Sequence, residues 1–244
     1  MGSLPRIRLF VDLPLVEGEK VACDKGQVNY LLNVMRLAEG ADVALFNGRD
    51  GEWAACLSVE GKRALSLVPY RCLQPQNEAQ DLHYYFAPLK RARLDYMVQK
   101  AVELGVSLLR PVLTQHCQVE RVNLARMRAN AIEAAEQCGL LAIPEIDEPI
   151  HLNNLIDMWD QERHMVFCDE GAPQQSPLVA LGDISHAKLA VLIGPEGGFS
   201  ADERDLLRAQ SFVTPLALGP RIMRADTAAV AALGLVNAVL GDWR

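Results

Sequence analysis

Strand-like and helix-like segments alternate along the chain from residue 82 to its end. Short apolar runs of strand length are separated by longer segments whose apolar residues recur with a helical period. This alternation predicts an α/β domain, with a mostly parallel sheet covered by helices. The predicted strands are 82–87, 108–113, 165–168, 189–193 and 213–218, and the predicted helices are 91–104, 121–138, 152–159, a segment that starts at residue 201, and 227–240.

Residues 6–73 show a different pattern, in which short strands dominate. One predicted helix, 27–37, interrupts four predicted strands at 6–11, 42–46, 52–59 and 64–71. This pattern predicts a small β-barrel-like domain. The polar, proline-containing segment 74–80 separates the two patterns, so we predict one domain at 1–74 and a second at 75–244.

The composition is that of an ordinary globular protein. Hydrophobic residues make up 50% of the 244 residues and charged residues 23%, which argues against a disordered chain. No apolar run approaches the roughly 20 residues that span a bilayer, and the first residues lack the apolar core of a signal peptide. We therefore expect a cytoplasmic protein.

The cysteines and histidines favour neither a metal site nor triad chemistry. The six cysteines include no C-x-x-C pair, and the five histidines show no metal-ligand spacing and no serine–aspartate constellation. We therefore predict no metal ion. His116, in the loop after the strand 108–113, is the one histidine that we keep as a site candidate.

The net charge of −7 argues at first sight against a nucleic-acid partner, because phosphate binding needs lysine and arginine. The charge is unevenly distributed, however. Residues 1–74 contain nine basic and nine acidic residues, and the remaining 15 basic and 22 acidic residues supply the whole excess. Either part can still carry a local basic patch.

A glycine-rich loop follows the strand 189–193. Residues 194–199 read GPEGGF and lead into a helix that a Ser200–Glu203 capping box can start. Ligands in open α/β sheets bind at the carboxyl ends of strands, where glycine lets the backbone approach them. The loop lacks the P-loop ending and the G-x-G-x-x-G spacing. The pattern is consistent with a ligand-binding loop and equally with a tight structural turn.

A second loop follows the strand 213–218. It contains a Gly-Pro turn and two arginines, Arg221 and Arg224, before a helix that Asp226 can cap. Exposed arginines are usually solvated. Their position beside a strand end favours a functional role, because a guanidinium group binds phosphate or a developing anion well.

Other basic residues are scattered. Arg6 and Arg8 lie near the start, and Lys90, Arg91 and Arg93 lie at a strand-to-helix turn. These five are our candidate contacts to nucleic-acid phosphate. The helix 121–138 carries three further arginines, for which a solvated surface is the more common explanation.

Five segments together closely resemble the RsmE-type 16S rRNA (uracil-N3)-methyltransferases of the SPOUT superfamily. They are YLLNVMRL at 30–37, KAVELGV at 100–106, EQCG at 136–139, GPEGGFS at 194–200 and LGPRIMRADTA at 218–228. The resemblance implies an N-terminal PUA-like β-barrel and a C-terminal SPOUT α/β domain with a trefoil knot near its C-terminus. Periodicity alone could not predict a knot, since knots are very rare.

The resemblance also implies a reaction, a cofactor and a homodimer that acts on 16S rRNA. The reaction would be S-adenosylmethionine-dependent methylation of uridine N3, in small-subunit rRNA maturation. The implied catalytic residues are Arg224, Glu196 and Arg221. The implied cofactor-binding residues are Gly194, Glu196, Gly197, Gly198, Leu218, Gly219, Ile222 and Met223.

Three alternatives stay open. A related SPOUT RNA methyltransferase would modify another base or a ribose hydroxyl. A non-catalytic ribosome-assembly factor would keep the fold and bind RNA without methyl transfer. A nucleotide-dependent oxidoreductase is disfavoured, because the chain has no dinucleotide fingerprint.

Overall fold

The structure is a computed structural model, and it describes residues 5–61, 64–119, 121–173 and 175–243. Contacts divide the chain into two compact units. The first contains residues up to 78 together with 135–143, and the second contains 79–134 and the residues from 144 onward. The outermost residues of the predicted domains, 1–4 and 244, lie outside the described residues.

The first unit is built on a five-stranded sheet. Its strands follow the order β1-β3-β4-β5-β2, with β1 parallel to β3 and the other neighbours antiparallel. Among the described residues, no ladder joins the two outer strands β1 and β2. The elements are β1 (Arg8–Phe10), β2 (Val21–Ala22), α1 (Lys25–Asn29), a π-helical turn (Tyr30–Val34), β3 (Asp42–Phe46), β4 (Glu52–Gly61) and β5 (Ala64–Gln74).

The helical segment of the first unit departs from the predicted helix 27–37. It starts at Lys25, because the Asp24 side chain accepts from the amide of Gln27 in a capping box. After Asn29 the chain widens into the π-helical turn, and Leu31 buries its side chain in the core of the sheet. The helix is therefore earlier, shorter and less regular than predicted.

The second unit contains a seven-stranded parallel sheet. Its main order is β12-β10-β11-β6-β7-β8, and the short strand β9 also pairs with β7. The elements are β6 (Leu82–Phe86), α2 (Arg91–Glu103), β7 (Leu108–Leu113), α3 (Leu124–Cys138), β8 (Glu145–Ile146), β9 (Ile150–His151), α4 (Leu152–Asp157), β10 (Arg163–Cys168), α5 (Pro177–Gly182), β11 (Lys188–Ile193), α6 (Ala201–Arg208), β12 (Val213–Leu216) and α7 (Ala225–Val239).

Both faces of this sheet are buried, which explains the continuous apolar runs of its strands. On one face, Tyr85 and Phe167 join a cluster with Trp159 and Phe212. Tyr84 is fully buried, and its hydroxyl contacts the sulfur of Met97 on α2 at 3.0 Å. Helix α7 packs against α2, α5 and β11. The predicted parallel sheet covered by helices is confirmed.

Every strand and helix predicted for the second unit is present, with ends that differ by a few residues. The predictions missed β8, β9 and α5, which are too short to show a period, and they missed β2 in the first unit for the same reason. The predicted cap at Asp226 is wrong, because α7 begins at Ala225 with Arg224 in the capping position. No helix in the described part of the chain is long and apolar enough to cross a membrane.

Candidate active site

A cavity of about 190 Å³ opens at the carboxyl ends of β10, β11 and β12. These three strands are neighbours in the sheet, so the loops that follow them meet at one edge. The lining residues are Cys168, Asp169, Glu170, Ile193, Gly194, Pro195, Glu196, Gly198, Phe199, Arg204, Leu216, Leu218, Gly219, Pro220, Arg221, Ile222, Met223, Ala225 and Ala228.

Residues 194–199, the first loop, are tightly held. A Cβ atom on Gly194 would lie 2.4 Å from Cε2 of Phe199, so only glycine lets this ring pack there. The ring makes an edge contact with Phe167 in the core. Gly198 has a φ of +69° and donates its amide to the carbonyl of Pro195. The first loop is thus a closed turn.

Two side chains from outside the first loop fix it further. A ring nitrogen of His116 lies 3.1 Å from the carbonyl oxygen of Gly198. The predicted Ser200–Glu203 capping box is confirmed, and Glu203 also accepts from the amide of Gln115 at 2.8 Å. The loop after β7 therefore supports the loop after β11.

Residues 217–223, the second loop, are held differently. No backbone amide or carbonyl of these seven residues forms a hydrogen bond with another described residue. Gly219 has a φ of +112°, and the Ile222 side chain is 89% exposed. The second loop therefore offers unpaired peptide groups in a wall of the cavity.

A buried aspartate anchors the floor of the cavity to α6. Asp169 follows β10 and is 3% exposed, and its carboxylate pairs with Arg208 and lies 3.6 Å from Nε of Arg204. Arg204 also pairs with Glu170 at 3.1 Å. Two arginines thus compensate the charge of one buried carboxylate, which would be costly if it were unpaired.

The cavity holds no activated thiol nucleophile. Burial, together with the nearby Asp169 carboxylate, raises the pKa of the Cys168 thiol to about 12. The thiol is therefore protonated at neutral pH, whereas nucleophilic cysteines have a lowered pKa. The arrangement suits the binding and orientation of a ligand rather than covalent catalysis.

The structure brings most of the predicted cofactor-binding and catalytic residues together. Gly194, Glu196 and Gly198 of the first loop line the cavity, as do Leu218, Gly219, Arg221, Ile222 and Met223 of the second loop. Gly197 and Arg224 do not line it. A Cβ on Gly197 would lie 3.1 Å from Cβ of His116, and Arg224 is exposed in the capping position of α7.

The predicted RNA contacts lie in different surroundings. Arg6, Lys90 and Arg91 are exposed, and Arg93 pairs with Glu196 at 3.1 Å. Arg8 is enclosed by its own unit. It pairs with Glu52 at 2.6 Å, donates to the carbonyls of Ala135, Glu136 and Leu140, and lies over the ring of Phe46.

Sequence reasoning missed the part of the site that comes from β10 and α6. Asp169, Glu170 and Arg204 were not among the candidates, although all three line the cavity. The signal was available for the first two, since they directly follow a predicted strand that ends at residue 168. Arg204 had no local signal, because it comes to the cavity through its pairing with Asp169 and Glu170.

Comparison with known proteins assigns the chain to a family. Residues 76–237 match the model of the RNA methyltransferase domain, and residues 24–70 match that of the RNA methyltransferase PUA domain. The first match covers well over half of the chain. The protein therefore belongs to the RNA methyltransferase family, with a PUA-like N-terminal domain and a C-terminal methyltransferase domain built on a parallel sheet.

Individual relatives agree along nearly the whole chain. Ribosomal RNA small subunit methyltransferase E of Rickettsia conorii is 29% identical and aligns with 94% of each chain. The crystal structure of methyltransferase E from Neisseria gonorrhoeae, bound to S-adenosyl methionine, superposes with a TM-score of 0.87 at 27% identity, covering 98% of this chain and 99% of that one. A methyltransferase from Legionella pneumophila in complex with the same cofactor gives 0.80 at 28% identity, covering 96% and 98%.

The residues around the cavity fit S-adenosylmethionine. Phe199, Leu216 and Leu218 supply apolar surface for a purine ring, and the unpaired peptide groups of the second loop can bond its polar edge. Asp169 and Glu170 also line the cavity, and their carboxylates are paired with Arg204 and Arg208, so this cluster has no net charge.

Proposed function

We propose that the protein methylates N3 of a specific uridine in 16S rRNA, with S-adenosylmethionine as methyl donor, during maturation of the small ribosomal subunit. The observation that carries this proposal is the cavity formed by the first and second loops, in a chain that aligns over nearly its full length with cofactor-bound methyltransferases. Such a reaction on ribosomal subunits implies a cytoplasmic enzyme.

In this proposal the two loops hold the cofactor, largely through backbone groups. Gly194, Gly197 and Gly198 keep the first loop close to the ligand, and Leu218, Gly219, Ile222 and Met223 form the second contact. Gly197 contributes indirectly, through its fit against His116. The bound cofactor supplies an electrophilic methyl group, and the protein must orient it toward the uracil.

Methylation at N3 requires loss of the N3 proton and stabilisation of the charge that develops on the uracil. We assign charge stabilisation to Arg224, with Arg221 as second choice. We assign Glu196 as the candidate base or cofactor contact, and its ion pair with Arg93 fixes the direction of its carboxylate. Because N3 lies on the pairing edge, the uridine must be unpaired when it reaches these residues.

We propose that residues 1–74 grip structured RNA and that residues 75–244 carry catalysis. Arg6, Lys90 and Arg91 are exposed and available for phosphate contacts. Arg93 would contact RNA only if its ion pair with Glu196 were broken. We give Arg8 a structural role instead, because its donors are already occupied.

We further propose a PUA-like barrel in the N-terminal domain, a SPOUT-type trefoil knot in the C-terminal domain, and a homodimer. The knot is supported by the strand order, in which β11 lies between β6 and β10 while the loops after β10 and β12 share one cavity. The dimer is supported by apolar side chains that are more than half exposed, namely Ile222, Leu178 and Val179 of α5, and Trp243.

The test of function is methyl transfer from labelled S-adenosylmethionine to small ribosomal subunits from cells that lack their uridine-N3 enzyme. We expect label on N3 of one 16S uridine, located by mapping of the modified nucleotide. Label on another base or on a ribose would move the target within the same family. Cofactor binding without any transfer would favour the assembly factor.

Arg224→Ala tests the assignment of charge stabilisation. Loss of one preorganised donor typically lowers kcat by about 100-fold or more, and we expect this with cofactor affinity within about twofold of the unaltered protein. Arg121→Ala, in the segment before α3, is the matched control for loss of a guanidinium group. Wild-type turnover in Arg224→Ala would remove Arg224 from the mechanism.

A further inference from the structure

Arg36 has an unusual backbone conformation. Its φ is +55°, and every other residue with a positive φ in the described part of the chain is a glycine. Left-handed backbone is costly for residues with a Cβ, especially for long side chains. A non-glycine residue in this conformation calls for a functional explanation.

The neighbouring hydrogen bonds hold Arg36 in this conformation. The amide of Met35 donates to the carbonyl of Tyr30 at 2.8 Å, and the amide of Leu37 donates to the carbonyl of Leu31 at 2.9 Å. The second bond joins residues six positions apart and ends the helical segment, with Arg36 as the one left-handed residue between them. This position at a helix end is usually occupied by glycine. Since Leu31 is fully buried, this end cannot easily relax.

The side chain of Arg36 does not support the fold in return. It is exposed, and its guanidinium forms no hydrogen bond or ion pair with any other described residue. Three other cations of the first unit are paired, Arg8 with Glu52, Lys20 with Glu60 and Arg49 with Asp12, whereas Arg6, Lys25 and Arg71 are exposed like Arg36 and form no ion pair with another described residue. Arg36 therefore combines a strained backbone with a charged group that is left available.

The residues before Arg36 complete a mixed surface. Val34 is 60% exposed and Met35 is 39% exposed, although both are apolar. An exposed apolar pair beside a free guanidinium matches the two faces of a nucleotide, since bases and riboses offer apolar contact and phosphates accept from arginine.

We propose that Val34, Met35 and Arg36 form an RNA contact site, in which Arg36 binds a phosphate of the substrate RNA. The rigid end of the π-helical turn fixes the direction in which the Arg36 side chain leaves the backbone, which lowers the conformational entropy lost on binding. This inference rests on the proposed function, and it adds a contact residue that lies outside the two loops of the cavity.

The first test compares two charge removals in the full chain. We would measure binding of Arg36→Gln and Arg71→Gln to small ribosomal subunits from cells that lack the uridine-N3 enzyme, at several salt concentrations. Arg71 is the matched control, because it is also exposed in the first unit. We expect Arg36→Gln to raise the Kd about tenfold and to lower the salt slope by about one, and Arg71→Gln to stay within about twofold. Equal effects of the two changes would overturn the proposal.

The second test separates RNA contact from stability. Arg36→Gly removes the guanidinium and relieves the backbone, so we expect the Tm to be unchanged or raised by about 2–4 °C while RNA binding weakens as much as in Arg36→Gln. Arg36→Lys should restore most of the affinity. A lower Tm in Arg36→Gly would show that the side chain supports the fold, and would refute the inference.

Failure of the inference and failure of the proposed function give different results. If the unaltered protein methylates the subunits but Arg36→Gln binds them equally well, only the contact site is wrong. If the unaltered protein binds the subunits through Arg36 without methyl transfer, the contact site stands and the proposed function falls.

Discussion

The two loops that form the cavity differ in how the protein holds them. The first loop is closed by its own hydrogen bond, by His116 and by the adjacent capping box. The second loop forms no backbone hydrogen bond with other described residues. One wall of the site is thus organised before a ligand arrives, and the other has backbone groups that a ligand can satisfy.

Because of this difference, we expect the two loops to contribute to ligand binding in different ways. A preorganised wall loses little conformational entropy when the ligand binds, and it fixes the position of the ligand. A wall with unpaired peptide groups gains hydrogen bonds on binding but must lose freedom to do so. We therefore expect changes in the first loop to affect folding and changes in the second loop to affect ligand affinity.

The largest expected effect comes from filling the space beside Gly194. Gly194→Ala would force its Cβ against the Phe199 ring, and we expect the free energy of unfolding to fall by about 3 kcal/mol, as in overpacked cores. Urea denaturation measures this. Gly182→Ala is the control, because a Cβ there would meet nothing within 4 Å. Equal stability of the two variants would show that the first loop is adaptable.

Hydrogen exchange tests the second loop directly. The amides of residues 217–219 and 221–223 should exchange quickly in the free protein, because none is bonded to another described residue, and Pro220 has no amide hydrogen. At a cofactor concentration about 100 times the Kd, their exchange should slow by up to about 100-fold. The amide of Gly198, already bonded to Pro195, should change much less. Slow exchange of the second-loop amides without cofactor would show that this loop is as well bonded as the first loop, and would contradict the difference between them.

A smaller effect is expected from the cap that supports the first loop. Ser200→Ala removes the hydroxyl that accepts from the amide of Glu203, and a lost cap costs about 1 kcal/mol. In a protein of this size, the Tm should fall by about 2–4 °C. Ser176→Ala is the matched control, since Ser176 caps α5 without a side-chain hydrogen bond. Calorimetry that gave equal Tm values for both would exclude the cap as a support.

The smallest effect on stability is expected in the second loop. Ile222 is 89% exposed, so Ile222→Ala should change the free energy of unfolding by less than about 0.5 kcal/mol. Its cofactor Kd should nevertheless rise several-fold, because the side chain lines the cavity. Met158→Ala, at a site that is 74% exposed and outside the cavity, should change neither quantity. Calorimetric titration distinguishes the two variants.

The parallel sheet was predictable because its strands are buried on both faces and its helices show regular periods. Strands of two residues, such as β8 and β9, show no period and were missed. The two loops were predictable because a glycine cluster follows one predicted strand and a Gly-Pro turn follows another. Arg204 comes to the cavity through its pairing with Asp169, a contact between residues far apart in the chain that no local pattern predicts.

Arg8 also shows that contacts between residues far apart in the chain cannot be predicted from local sequence. Its charge and its position in the N-terminal domain led to the prediction of an RNA contact, but its guanidinium donates to carbonyls more than 120 residues further along the chain. Local composition cannot reveal such partners. The local sequence around an arginine therefore does not tell whether its guanidinium binds a phosphate or donates to backbone carbonyls within the protein.

The first unit is discontinuous, since residues 135–143 complete it after the chain has already formed part of the second unit. A fragment that ends at residue 74 would lack the carbonyls of Ala135 and Leu140 that Arg8 binds. The first unit could therefore not be transferred between proteins as one continuous gene segment. A recombination event that moved it would also have to move residues 135–143, which lie within the sequence of the second unit.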